Sequence, residues 1–383
     1  RLRLYGTASI RTHFTRTLFL EYLMEEKIRL NEYYRDFLAY YQKAKLVQDY
    51  ANLGGYPYIG SCGDDLIENV TIYDTVERQH AGFQNMLQDL WFGSKAPKYY
   101  KWTNEHKARN NSYDDQHSFW TRREWLWIFM FHRITGSGAS FEEDHGYRNT
   151  VIPYLAKLKT CEEMAEWVKN NDDIPMFTSI GNQIPMFPSK HLWESLNKSG
   201  FDYKTPGKLW LSECMTDLVD DTWNFIDSIT SGEGRRANIR ELVDYMCEWN
   251  RERGMKRFHF QFTATAADLA DYYQDLVDPL SHMYYGKNAK ESMDMFAEKL
   301  GRYKKDLYYD YVMEAAVKDT GGAPRDLEDV MCDYIRWVEN YIPDSKQKTY
   351  EHLDRTAIWN TSSITNHPKG RQKWKLNTDQ WEW

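Results

Sequence analysis

Apolar residues recur at intervals of three and four over most of the chain, and this spacing limits the fold more than any other feature. Segments with the pattern cover 14–50, 74–91, 120–132, 160–170, 213–229, 239–253, 288–300, 307–318 and 327–341. Such spacing places apolar side chains on one face of an α-helix. These segments do not alternate with strands, which argues against a doubly wound parallel sheet. The pattern predicts a mostly α, large helical protein with few short strands.

Local patterns add detail at three places. Residues 125–131, Trp-Leu-Trp-Ile-Phe-Met-Phe, predict a central buried helix that is too short to span a membrane. Thr160 followed by Glu163 fits the capping box at a helix start. Residues 257–263 alternate polar with aromatic residues, which predicts either a strand or an extended entry to the next helix.

Composition narrows the class of protein. A net charge of −8 argues against coating nucleic acid by bulk electrostatics, although a local basic strip remains open. No window approaches the ~18 consecutive apolar residues of a membrane span, and the first ten residues lack the apolar region of a secretory signal. The 5 cysteines are scattered without zinc-ligand spacing, so we expect reduced thiols in or near the core.

Changes in pattern divide the chain into three predicted regions. Residues 1–118 form an N-terminal helical region that ends in a basic-aromatic segment at 93–118. Residues 119–345 form a helical catalytic core, and 346–383 form a C-terminal tail without periodicity. Segment 93–118 suits either single-stranded nucleic acid, which stacks on aromatic rings beside cations, or a solvated loop.

Three polar segments within the core are candidates for chemistry. Segment 132–149 combines Arg133 and Arg148 with Ser137 and Gly138, a set able to hold an anion, although an ordinary helix-ending glycine loop looks the same. Segment 178–188 contains Asn182 and Gln183, whose carboxamides can read the edge of a base or cap their own turn. Segment 278–288 places His282 near Lys287 at a helix start.

One acidic set has the spacing of residues that share a metal. Asp217, Asp220 and Asp221 share one helical face, but such a run is more often solvated, and no His, Asp or Glu set has convincing metal spacing. We therefore expect no metal.

At the three polar segments the chain resembles the phage amino acid:DNA transferases, also described as alpha-glutamyl/putrescinyl thymine pyrophosphorylases. The resembling stretches are HRITGSGASFEEDHGYRNT at 132–150, TSIGNQIPMFP at 178–188 and DPLSHMYYGKNA at 278–289. The resemblance implies an enzyme of thymidine hypermodification that acts on duplex phage DNA in the cytoplasm of the infected bacterium. It implies a fold related to helical DNA glycosylases, although the chain lacks a clear Leu-Pro-Gly-x-Gly turn.

The implied reaction transfers an amine onto uracil. An amino acid such as glycine, or another amine, displaces phosphate or pyrophosphate from a phosphorylated 5-hydroxymethyl group of uracil in DNA. The phosphate already activates the carbon, so no cofactor is needed. We expect base flipping, with Asn182 and Gln183 reading the base.

Residue roles follow from this reaction. The leaving phosphate would be held by one set of residues: Arg133, Ser137, Gly138 and Arg148, with Lys287 as an alternate. The general base would be His145, oriented by Asp144, and His282 is the second choice.

Other functions stay open. A DNA-glycosylase-like enzyme would release a free base instead. A non-catalytic phage DNA-binding or assembly protein would not distinguish 5-phosphomethyluracil from other bases. A small-molecule transferase is weaker because no nucleotide motif occurs.

Overall fold

A computed structural model describes residues 28–52, 60–64, 67, 76, 87, 90, 91, 120–135, 155, 157–171, 206–255, 258–299 and 305–341. Helices account for 74% of this part of the chain, which confirms the prediction of a mostly α protein. Among the described residues, two three-residue strands form the only sheet.

The elements follow one another in a simple order. A short strand comes first and pairs antiparallel with a second strand near the end, with Ile28 opposite Lys299. The bounds are β1 Ile28–Leu30, α1 Glu32–Asn52, α2 Arg122–Thr135, α3 Cys161–Asn170, α4 Pro206–Glu213, α5 Met215–Gly232, α6 Ile239–Glu252, α7 His259–Tyr272, α8 Lys287–Met295, β2 Ala297–Lys299, α9 Lys305–Thr320 and α10 Pro324–Tyr341.

Local chemistry sets several of these helix ends. Thr160 caps α3 by accepting a hydrogen bond from the Glu163 amide at 3.2 Å, as predicted, whereas the Glu163 carboxylate accepts from the Lys159 amide. A complete capping box starts α6, where Asn238 and Glu241 each accept from the other's amide. These contacts satisfy amides that the first helical turn leaves without partners.

The helices pack in two groups. The first helix group contains α2 to α7, in which α7 lies against α2 and α6, and α5 contacts α2, α3, α4 and α6. The second helix group contains α1, α8, α9 and α10, with the two strands beside α8. One continuous cluster of buried apolar side chains runs through both groups, so α1 shares a core with the later helices. The three predicted regions remain a prediction.

Aromatic rings fill much of this core. In the second helix group, Phe37 lies 5.0 Å from Phe296 and 5.6 Å from Tyr334, measured between ring centroids. In the first, Phe129 of α2 stacks on Tyr272 of α7 at 5.2 Å. Residues 125–131 are all buried within α2, which confirms the central helix predicted there.

Three predicted elements differ from the structure. The helix predicted over 14–50 is wrong at Ile28–Leu30, which form β1, and α1 begins only at Glu32. Both alternatives predicted for 257–263, a strand and an extended entry to the next helix, are wrong from His259 onward, because α7 begins there and includes Thr263. The helix predicted over 288–300 ends at Met295, and Ala297–Lys299 forms β2 instead. None of the helices in the described residues is both long and apolar enough to cross a membrane.

Candidate functional site

The linker between α7 and α8 joins the two helix groups. It carries segment 278–288 up to Gly286, and the last two residues of the segment begin α8. Its first part is fixed to the start of α6. The Ala237 amide donates to the Leu276 carbonyl at 2.8 Å, and the Asp278 amide donates to the Ala237 carbonyl at 2.7 Å. The Ile239 amide then donates to Ser281 Oγ at 3.0 Å. These bonds hold the backbone directly before His282.

His282 lies in this linker with ionisable groups at both ring nitrogens. Its Nδ1 is 2.7 Å from the Tyr285 hydroxyl and 3.6 Å from Asp310 Oδ1, and its Nε2 is 3.4 Å from Glu314 Oε1. The side chain is 28% exposed, so solvent and small solutes can reach part of the ring. Asp310 and Glu314 project from neighbouring turns of α9, which brings both carboxylates to one histidine.

Arg240 of α6 binds the Asp310 carboxylate as well. It donates through Nη1 to Asp310 Oδ2 at 2.8 Å, through Nη2 to Asp310 Oδ1, and through Nε to the Met283 carbonyl at 3.0 Å. Its guanidinium also lies 5.6 Å from the Tyr284 ring centroid and 5.5 Å from that of Tyr285. One arginine thus fixes the carboxylate, the linker backbone and two rings together.

Tyr285 completes the set. Its hydroxyl lies 3.1 Å from Asp310 Oδ1. Burial raises the pKa of Tyr285 well above 10, and the neighbouring Asp310 charge adds to the shift, so the hydroxyl keeps its proton. We use the name His282 cluster for Arg240, His282, Tyr285, Asp310 and Glu314.

The start of α8 directly follows Tyr285 and is fixed to α10. The Gly286 amide donates to Glu328 Oε1 at 2.8 Å. A Cβ at Gly286 would lie 2.8 Å from the same oxygen, so a larger residue there would require the Glu328 carboxylate to move. Lys287 follows as the first residue of α8, with its side chain 65% exposed and its Nζ 3.5 Å from Glu291 Oε1.

Arg133, a predicted phosphate-binding residue, occupies a different environment. It lies near the end of α2 and donates through Nε and Nη2 to the two oxygens of Asp268 on α7, at 2.7 and 2.6 Å. The Arg133 side chain is 12% exposed and that of Asp268 is 0% exposed. A phosphate would have to compete with Asp268 for this guanidinium.

The other predicted site residues lie outside the described part of the chain. They are Ser137, Gly138, Asp144, His145, Arg148, Asn182 and Gln183. The basic-aromatic segment 93–118 and the tail from 346 also lie outside it. The structure therefore brings His282 and Lys287 into one linker and helix start, and leaves their relation to the remaining predicted residues untested.

The acidic face of α5 is used in polar contacts. Asp220 accepts from Arg123 Nε at 2.5 Å, and Asp221 accepts from Trp249 Nε1 at 2.7 Å. Within the described ranges, no group of three or more His, Cys, Asp or Glu side chains is arranged to hold a metal.

Sequence reasoning missed four members of the His282 cluster as functional candidates. Tyr285 stands inside the resembling stretch. Arg240, Asp310 and Glu314 belong to other helices and lie 28 to 42 positions from His282 along the chain. The only signal was the i, i+4 spacing of Asp310 and Glu314 on a predicted helix, which also occurs on solvated faces.

Comparison with known proteins adds no identification. No protein-family model, curated protein or solved structure matches this chain. The chemistry of the His282 cluster is therefore the firmest guide to function. It can take up a proton beside two carboxylates, in contact with solvent.

Proposed function

We propose that the chain is a phage DNA-modification transferase. It joins the nitrogen of an amino acid, such as glycine, or of another amine to the 5-methylene carbon of uracil in duplex phage DNA, and displaces phosphate or pyrophosphate. The observation that best supports this proposal is that the resembling stretch 278–289 holds a partly exposed histidine beside two carboxylates. The reaction would take place in the cytoplasm of the infected bacterium.

The chemistry requires a base. An ammonium group has no lone pair, so one proton must leave before the nitrogen can attack carbon. His282 takes that proton, and Asp310 and Glu314 offset the positive charge that the ring gains. The carbon–nitrogen bond forms as the carbon–oxygen bond to the phosphate breaks. The proton then passes to the leaving phosphate, so the reaction consumes no further acid or base.

The leaving group requires positive charge or amide donors. Lys287 is five positions after His282 and exposes its amino group at the start of α8, which suits contact with a phosphate. In the proposal Ser137, Gly138 and Arg148 share this task, and Asn182 and Gln183 read the flipped base. Arg133 contributes only if phosphate draws it away from Asp268.

The test uses duplex DNA that contains 5-phosphomethyluracil together with a mixture of amino acids. After digestion to nucleosides, mass spectrometry should find 5-hydroxymethyldeoxyuridine increased by one amino acid less water. DNA with unphosphorylated 5-hydroxymethyluracil is the control and should stay unchanged. Release of free base would favour a glycosylase-like enzyme. Binding without turnover on either DNA would favour a non-catalytic DNA-binding protein.

Variants then identify the base. His282→Gln should lower the transfer rate by about 10²–10⁴-fold, the usual contribution of a general base, and leave DNA binding unchanged. His259→Gln is the matched control, since His259 packs on the Tyr284 ring at 5.4 Å but is not part of the cluster. His145→Ala is measured in parallel. Full activity of His282→Gln with loss in His145→Ala would assign the base to His145.

A further inference from the structure

The Tyr285 hydroxyl has a single hydrogen and two neighbours that can accept it. One is His282 Nδ1 at 2.7 Å, and the other is Asp310 Oδ1 at 3.1 Å. The Asp310 carboxylate, which is paired with Arg240, can only accept hydrogen bonds. The direction of the Tyr285 hydroxyl therefore decides which nitrogen of His282 carries a proton in the neutral ring.

Two arrangements are possible. In the first, His282 Nδ1–H donates to the Tyr285 oxygen, and the Tyr285 hydroxyl donates to Asp310, which leaves Nε2 without a proton. In the second, the Tyr285 hydroxyl donates to Nδ1, and Nε2–H donates to Glu314. The first arrangement leaves two acceptors facing each other at Nε2 and Glu314. The second leaves two acceptors facing each other at Tyr285 and Asp310.

Burial separates the two arrangements. Tyr285 is only 6% exposed and the Asp310 side chain 20% exposed, whereas the Glu314 side chain is 48% exposed. An unsatisfied pair of acceptors costs most where water cannot reach it. Because the Glu314 side chain is about half exposed, solvent can hydrogen-bond to its carboxylate in place of Nε2. The first arrangement therefore places the unfavourable contact where it costs least.

We infer that Tyr285 is a positioning residue that holds a proton on His282 Nδ1, so that Nε2 is the nitrogen that takes up a proton. Asp310, held by Arg240, receives the Tyr285 hydroxyl and fixes its direction. On proton uptake, Nε2–H faces Glu314 Oε1, which lies 3.4 Å away. That the incoming proton belongs to an amine rests on the proposed function, whereas the tautomer does not.

Among the described residues, the ionisable groups around the ring come from three elements. Tyr285 belongs to the linker of His282 itself, Asp310 and Glu314 belong to α9, and Arg240 of α6 is bound to Asp310. Removing the Tyr285 hydroxyl changes one hydrogen-bonded neighbour of Nδ1 and leaves the three charges in place. Tyr285→Phe is therefore the narrowest variant that tests the inference.

The first experiment is nitrogen-15 NMR of the histidine side chains in the whole chain, without DNA, across a pH series. His282→Gln assigns the signals of His282. In its neutral form, the wild-type ring should show a protonated Nδ1 and an unprotonated Nε2. Tyr285→Phe should move the population towards the other tautomer. Tyr284→Phe is the matched control, because that hydroxyl donates to Asp244 and not to the cluster, and it should leave the His282 signals unchanged.

Three results would overturn the inference. They are a wild-type ring with its proton on Nε2, a ring that stays doubly protonated at every pH at which the fold persists, and an unchanged tautomer in Tyr285→Phe. Circular dichroism of each variant confirms that it folds, so that a change in the NMR signals reports on the ring alone.

The second experiment is the transfer reaction. Tyr285→Phe should lower the rate by about 10–100-fold, less than the full contribution of a general base, and should alter the pH profile of the rate. Tyr284→Phe should do neither. The two proposals fail separately. The predicted tautomer without any transfer in the wild type would refute the function alone, whereas transfer with an unchanged profile in Tyr285→Phe would refute the positioning role alone.

Discussion

Arg133–Asp268 and Arg240–Asp310 are built alike, since each joins two helices by two hydrogen bonds between a guanidinium and a carboxylate, but they lie at different depths. In the first pair the side chains are 12% and 0% exposed, and in the second they are 27% and 20% exposed. The same chemistry therefore occurs once in the interior between α2 and α7 and once near the surface between α6 and α9.

A second buried contact between an arginine and an aspartate involves α7. Asp271, one turn after Asp268, accepts from Arg325 Nε at 2.5 Å, and Arg325 also donates to the Pro279 carbonyl. Both aspartates are completely buried. A buried charge is tolerated when it is paired and hydrogen-bonded, and its partner cannot be removed cheaply. These pairs connect α2, α7 and α10.

The His282 cluster extends beyond its arginine–aspartate pair. A histidine and a half-exposed glutamate adjoin the arginine–aspartate pair, so the charge of the set can change while Arg240 holds it in place. We expect the deeper pair to contribute more to stability than the shallower one, whose neighbour His282 is the base in the proposed function. Variants of matched geometry test this conclusion.

Asp268→Asn should have the largest effect on stability. It leaves the Arg133 charge buried without its carboxylate, and the free energy of unfolding should fall by about 3–5 kcal/mol. Asp310→Asn, at a side chain that is 20% exposed, should cost about 1–3 kcal/mol. Urea denaturation followed by circular dichroism measures both variants against the wild type.

Replacing the buried pair as a whole provides the control for that measurement. Arg133→Met combined with Asp268→Leu removes both charges, so it should recover a large part of the loss in Asp268→Asn. Equal losses in Asp268→Asn and Asp310→Asn would show that depth does not separate the two pairs.

Gly286→Ala should have the next largest effect. The new Cβ would lie 2.8 Å from Glu328 Oε1 and disturb the hydrogen bond from the residue 286 amide, at an expected cost of about 1–3 kcal/mol in the free energy of unfolding. Gly232→Ala is the matched control, because no atom lies within 4 Å of a Cβ at that position. Its stability should change by less than about 1 kcal/mol.

A neutral result at Gly286 would show that Glu328 can move away without cost. The Gly286–Glu328 contact would then not be needed to fix the start of α8. Thermal unfolding of both alanine variants, with the wild type alongside, decides between the two results.

Much of the fold could be predicted from periodicity, and the main error has a clear cause. Phe258, Phe260 and Phe262 alternate along the chain as in a strand. In the structure Phe258 and Phe262 meet on one side, 5.2 Å apart, and Phe258 packs on Trp210, while Phe260 is 58% exposed. An i, i+4 pair with an exposed aromatic residue between its members has the same two-residue spacing as a strand, so spacing alone could not separate them.

The candidate site was less predictable than the fold. His282 could be singled out because it stands in a short segment with other reactive residues. Asp310 of α9 reaches its ring, and Arg240 of α6 binds Asp310 and the linker carbonyl of Met283, only because distant parts of the chain meet in the fold. Helical spacing predicts which residues share one face, but it does not predict which faces of distant helices meet.

Asp227→Asn should have the smallest effect and completes the series. Arg122 donates to both oxygens of Asp227, at 2.7 and 2.5 Å, with the two side chains 41% and 42% exposed. Because water screens this pair, the variant should lose at most about 1 kcal/mol, and high salt should reduce that loss. Urea denaturation at low and high salt measures it.

The pH dependence of this small loss has a definite sign. The hydrogen bond from Arg122 holds the pKa of Asp227 below its ordinary value, so the carboxylate stabilises the fold while it is charged. The difference between wild type and Asp227→Asn should be constant from neutral pH to the ordinary aspartate range, about pH 4, and disappear as pH falls through the lowered pKa. A loss equal to that of Asp268→Asn would mean that pairing geometry, which the three tested arginine–aspartate pairs share, outweighs depth.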